Sequence, residues 1–251
     1  MKEILSCAMD IGEGMLTSGA EVHRVEDCMN RICLAFGASR VDAFIITNSM
    51  VVTVRDGDGV SYTETRRIVS LGTDFERLDA LNALSRRICT EKPSAKWIRE
   101  ELFKIKAGKK YPLWVEFAAY ALVAAAFTVF FGGSLVQAAF ALLVGLGVRL
   151  VALLSDRTVR NLILSKLLCS FFVALVSFLL VRLGLVSRSD EIIIGNIMLL
   201  IQGVGFTNAL RDLFTGDSVT GILRLLEAVL SAAAIAAGYF LVVFLTGGAT
   251  V

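Results

Sequence analysis

The sequence predicts an α-helical polytopic membrane protein of about five transmembrane helices, with an N-terminal cytoplasmic α/β domain. Three observations lead there. Of the 251 residues, 56% are hydrophobic and the mean hydropathy is +0.72, whereas a soluble domain is roughly 45–50% apolar. The excess is uneven: residues 1–110 carry mixed charge, and residues 111–251 form a series of long apolar runs. Each run has about the 17–25 residues that cross some 30 Å of hydrocarbon.

The composition also excludes functions. A net charge of +2, with no Arg/Lys stripe among aromatics, argues against a nucleic-acid partner. The five cysteines, Cys7, Cys28, Cys33, Cys89 and Cys169, form no C-x-x-C pair, and there is one histidine. A structural zinc site is therefore not expected, and the cysteines read as free thiols. Glu3, Asp10 and Glu13 interrupt Met1–Gly19, so no signal peptide is read there.

Residues 2–36 read as two helices. Ile4, Leu5, Ala8, Ile11, Met15 and Leu16 make one apolar stripe, and Val22, Val25, Met29, Ile32 and Cys33 make the next. Ser18-Gly19-Ala20 separates them, and Gly37 suits the position after the second helix. Val41–Thr47 and Met50–Arg55 are β-branched and aromatic runs, and the Asp56-Gly57-Asp58-Gly59 turn leads into a third strand over Val60–Val69. In that strand Ser61, Thr63 and Thr65 alternate with Tyr62, Glu64 and Arg66, as on an exposed edge. Thr73-Asp74-Phe75-Glu76 starts a helix through Ile88 as a capping box, and Pro93-Ser94 restarts one to Lys106. The predicted order over 1–110 is ααβββαα.

Residues 111–251 form the predicted membrane domain, with spans at Leu113–Phe131, Leu135–Leu154, Leu162–Leu183, Ile192–Leu210 and Ile222–Leu245. Lys104, Lys106, Lys109 and Lys110 precede the first span, and Arg157, Arg160 and Lys166 flank the second turn on that side. The uncharged Gly132-Gly133-Ser134 lies opposite, with Arg182 and Arg188 as weaker counter-signals. The bias predicts a cytoplasmic amino terminus and, with five spans, an external carboxyl terminus.

Polar residues gather around the last two spans. Gln202, Asn208, Arg211, Asp212, Asp217, Arg224 and Glu227 lie in or beside helices otherwise made for lipid. An ionisable group inside a span costs at least about 2.5–3.5 kcal/mol on insertion scales, so these residues, with Arg149 in the second span, are candidate site residues. Asn196, Gly203 and Thr207 share a face if the fourth span is one helix. Glu227, Ser231, Ala234 and Gly238 share one on the fifth, where Arg224 could pair with Glu227. The bland alternatives are a small-residue packing stripe and an Arg–Glu tie. Glu116 and Lys166 are read as snorkelling to the interface. His23 has no nucleophile or metal partner at a telling spacing.

The run Gly14-Met15-Leu16-Thr17-Ser18-Gly19-Ala20-Glu21-Val22-His23-Arg24-Val25-Glu26 resembles the amino-terminal motif of the threonine/serine exporter family. Leu71-Gly72-Thr73-Asp74, Leu81–Arg87 and the membrane signature Asn208-Ala209-Leu210-Arg211-Asp212-Leu213, with Gly216-Asp217 and Gly221, extend the likeness over nearly the whole chain. Ser18, Gly19, His23, Arg24 and Glu26 thereby become candidate motif residues of the soluble domain. One departure stands out: Gln202-Gly203 replaces the family's frequent Pro-Gly. Proline would break the fourth span and glutamine does not, so straight and kinked forms both stay open.

The resemblance implies efflux of a small carboxylate-bearing metabolite across the plasma (inner) membrane, without covalent chemistry. Fused members carry a second, smaller membrane module. A five-span chain thus resembles the large subunit of the split form, completed by a small integral membrane protein in an oligomer. Split pairs are associated with succinate export, and fused members with threonine and serine export. The chain has no G-x-x-x-x-G-K-[ST], so ion-gradient coupling is expected, with no cofactor. In this reading Arg149, Arg211 or Arg224 holds the carboxylate, while Asp212, Asp217 or Glu227 exchanges a proton or binds an amine. Two rivals are a membrane-anchored metabolite sensor and a membrane-tethered hydrolase.

Overall fold

The computed structural model describes residues 1–69, 71–108, 111–158 and 161–247. Lys109, Lys110 and Arg160, used above for orientation, lie outside them. Two compact units divide the chain. One comprises the residues before 110 together with Val204–Leu225, and the other the intervening residues with those from Leu226 onward.

In the first unit the elements run α1 (Lys2–Thr17), α2 (Val22–Ala35), β1 (Arg40–Ile46), β2 (Ser49–Arg55), β3 (Ser61–Arg67), α3 (Phe75–Glu91) and α4 (Ala95–Lys106). The strands form an antiparallel sheet in the order β1-β2-β3. On the edge strand β3, residues 61, 63, 65 and 67 are exposed, and Thr63 and Thr53 bond across strands at 2.8 Å. Helix α1 is the centre of the packing, since its apolar stripe meets α2, α3 and α4 as well as the sheet. Leu5, Met9, Ile11 and Met15 are fully buried there with Met29, Ile32, Met50, Leu81, Ile88 and Ile98. At Gly12 a Cβ would lie 2.6 Å from Met29 Sδ, so a larger residue here would push the flexible Met29 and Met50 side chains aside. Gly37 ends α2 at φ +90°, and Ala38 N–H reaches Cys33 O at 3.1 Å. Helix α3 is capped by Asp74, whose carboxylate accepts from Arg77 N–H at 3.0 Å, and α4 by Ser94.

The second unit holds α5 (Leu113–Phe130), α6 (Leu135–Thr158), α7 (Leu162–Arg182), α8 (Asp190–Ile197) and the later part of α10 (Ser218–Leu245). Among the described residues four helices, α5, α6, α7 and α10, are long and apolar enough to cross a membrane. They leave Leu122, Phe130, Leu135, Leu143, Phe240 and Phe244 exposed. In water such a surface would aggregate; in lipid it is the solvent-facing side. Small residues set the close approaches. A Cβ on Gly145 of α6 would lie 2.9 Å from Tyr120 O of α5, and one on Gly195 of α8 would collide with Thr128 of α5.

The fourth predicted span, Ile192–Leu210, is not one helix. Helix α8 ends at Ile197, and Leu200 N–H bonds back to Ile197 O at 2.8 Å in a tightened turn. The chain then leaves helical geometry at Ile201 and Gln202, and α9 begins anew at Gly203 (Gly203–Thr215). The break occurs without proline. The common face proposed for Asn196, Gly203 and Thr207 therefore does not exist, because Asn196 belongs to α8 and the other two to α9.

Candidate functional site

Most of the polar residues picked out near the last two spans come together in the first unit. Helix α9 and the first two turns of α10 pack there against the link between α1 and α2. Helix α1 ends at Ser18, and Gly19 adopts φ +96°, where a Cβ would stand 3.2 Å from Gly72 O. This turn leaves the carbonyls of Gly19 and Ala20 free for partners outside the helix.

Those partners come from some 190–200 residues along the chain. Asn208 Nδ2 donates to Gly19 O at 3.1 Å, and Arg224 donates to Ala20 O at 3.2 Å. The other arm of the Arg224 guanidinium donates to Asp212 Oδ2 at 2.8 Å. Arg224 is 8% exposed and Asp212 1%, so this ion pair is held away from solvent. Asp212 also faces the Val22 backbone amide. At the rim, Arg211 pairs with Glu21 at 2.9 Å. Asn208 and Arg211, then Asp212, rise on neighbouring turns of α9, so one helix face presents all three. The turn into α10 is closed by Asp217 N–H on Asp212 O at 2.9 Å, with Gly216 at φ +99°.

Arg224 does not pair with Glu227, contrary to the helix-spacing expectation. Glu227 is exposed and lies in the second unit, while Ser231, Ala234 and Gly238 of its supposed face are buried. A carboxylate twelve residues earlier in the chain, Asp212, takes the guanidinium instead.

The motif residues of the first unit divide. Ser18 is fully buried and Gly19 is part of the joint, while His23 and Arg24 are exposed on α2. Glu26 is half-buried. Burial and the nearby Asp217 carboxylate push its pKa up, against the pull of the Ile45 amide and His23. Burial also pushes the Cys28 thiol to about 11 and Cys33 to about 12, so both stay protonated at neutral pH. Among the described residues no three of His, Cys, Asp and Glu are grouped as metal ligands.

In the second unit Gln202 sits in the break before α9. Arg149 of α6 pairs with Glu116 of α5 and stacks over Tyr120 at 5.6 Å. Glu116 is thus a partner within the bundle, not a snorkelling side chain. Lys166 is corrected too: at 7% exposed, it does not reach outward. Sequence reasoning missed Glu21 and Ala20 as partners, and no local spacing could have supplied them.

The long apolar helices are those of a membrane protein. The family model described as "Putative threonine/serine exporter" matches residues 6–246, so the chain belongs to the threonine/serine exporter family. It is 26% identical over 215 residues to the "Probable succinate transporter subunit YjjP" of Klebsiella aerogenes, covering 84% of this chain and 81% of that one. No solved structure matches.

Proposed function

We propose that this chain is the large subunit of a two-component secondary exporter of small carboxylate metabolites, driven by an ion gradient. A small integral membrane protein would complete it. The observation that carries the reading is the family membership over nearly the whole chain, joined to the likeness to a succinate transporter subunit.

Chain parity supports five crossings. Asn208 and Arg224 bond to Gly19 and Ala20, so the entrance of α10 stands on the same side as the amino-terminal elements. Helices α5, α6 and α7 make three crossings and leave the chain on the opposite side. In this reading residues 183–217, which hold α8, the break and α9, bring the chain back. Broken helices of this kind are where transporters bind their cargo. In this reading residues 1–110 are a cytoplasmic domain, the remainder is the membrane domain, and the carboxyl terminus is external.

The Asn208–Asp212–Arg224 cluster reads as a joint, because its guanidinium is already occupied. Helix α10 continues from the joint into its apolar length, so a shift at the Gly19–Ala20 turn would be carried along it. The test is efflux from a host lacking its own exporters, loaded with succinate or a threonine dipeptide. Export of one substrate only when chain and partner are both present supports the reading. No export of either, with both proteins inserted, refutes it.

A further inference from the structure

The three arginines that could have received a carboxylate each already face one of the chain's own. Arg149 pairs with Glu116, Arg211 with Glu21, and Arg224 with Asp212 and Ala20 O. A buried cation of the long helices faces none. Lys166 lies on α7, one turn beyond the Asn161 cap, and its Nζ is buried with no hydrogen-bond partner among the described residues.

Its position is interior. Ser170, Val173 and Ser177 follow Lys166 on the same helix face, and all are buried. Ser170 Oγ donates to Ile235 O of α10 at 2.6 Å, and Ser177 Oγ is buried without a partner. Helix α10 closes over this face at Gly238, where a Cβ would collide with Leu167 O and stand 2.9 Å from Phe171 N. The ammonium therefore heads a line of hydroxyls inside the second unit.

Among the described residues of that unit no carboxylate is its counter-ion. Glu116 is taken by Arg149, Asp190 by Arg188 at 2.7 Å, and Glu191 by Gln137 at 2.8 Å, while Asp156 and Glu227 are exposed. A buried ammonium without an anion is unfavourable, and it persists where an anion joins it during function. A lipid phosphate would need the group on an outer face. The geometry points to Lys166 as the group that binds the carboxylate of the exported metabolite, with the Ser170 and Ser177 hydroxyls along its route. This assignment rests on the exporter reading above. Lys166 stands near the end of α7 that this topology makes cytoplasmic, where an exporter first meets its cargo.

The test is titration of the full-length chain with its partner in nanodiscs, using succinate, threonine and uncharged succinamide. Wild type should bind succinate or threonine and not succinamide. Lys166→Met should weaken that binding tenfold or more without lowering the melting temperature, and Lys166→Arg should stay within a few-fold of wild type. A second variant covers misfolding: Lys166→Cys should regain affinity when modified with an ethylammonium thiosulfonate and not with the methyl reagent. Undiminished binding by Lys166→Met, or equal rescue by both reagents, overturns the assignment alone. No binding of any carboxylate by wild type overturns the exporter reading and the assignment with it.

Discussion

Removing the Arg224 guanidinium is the sharpest probe of the joint. Arg224→Ala leaves Asp212, 1% exposed, without its cation and leaves Ala20 O without its donor. Breaking a buried pair from one side costs about 3–5 kcal/mol, chiefly because the remaining charge is stranded. For a chain of this length each kcal/mol shifts the melting temperature by about 2–4 °C, so a fall of roughly 6–20 °C is expected. Asp212→Leu should act similarly, since it strands the guanidinium. The double variant Asp212→Leu/Arg224→Ala strands neither, and should recover part of the loss through a coupling of about 0.5–3 kcal/mol. The assay is thermal unfolding of the full chain in nanodiscs, followed by circular dichroism, across wild type and the three variants. Single-variant shifts of under about 1 °C, or strictly additive losses, would refute the buried joint.

Two further predictions follow from the same structure. Glu26 has its pKa raised by burial and by Asp217, so the folded protein holds that proton more tightly than the unfolded chain. The group therefore costs stability at neutral pH, and the cost is relieved as pH falls through the raised folded value towards the ordinary carboxylate range. Glu26→Gln should raise the melting temperature at neutral pH and flatten its rise as pH falls towards the ordinary carboxylate range; an unchanged pH profile counts against this. Gly238→Ala should lift α10 from α7 and cost about 1–3 kcal/mol by overpacking, seen as a lower melting temperature and less monodisperse protein. A variant as stable as wild type would mean that the two helices do not meet there.

What could be read from the chain beforehand was local. The Asp56–Gly59 turn and the Gly37 helix end are each specified by residues within a few positions, and the structure has both, while the helix expected from a Thr73–Glu76 capping box starts one residue later, with Asp74 as its cap. The four long spans announce themselves by composition. The break at Met198–Gln202 did not, because Met, Leu and Ile are good span residues and no proline interrupts them. Likewise, helical spacing offered Glu227 as the partner of Arg224, three residues away. The pairing with Asp212 depends on how α9 turns back into α10 at Gly216. The contacts of Asn208 with Gly19 and of Arg224 with Ala20 involve backbone carbonyls, which carry no sequence signature at all. Lys166 shows the converse: near a helix end, snorkelling is the natural expectation, and only tertiary packing reveals that its face is covered.

Transport itself is the central claim, and reconstitution tests it most directly. Proteoliposomes would hold the full chain with its small membrane partner, with labelled succinate on the side of the amino-terminal domain and an imposed proton or sodium gradient. Gradient-driven movement of succinate across the bilayer, absent when either protein is omitted, is the predicted result. Vesicles in which both proteins are inserted, yet in which neither succinate nor threonine moves under either gradient, would contradict it.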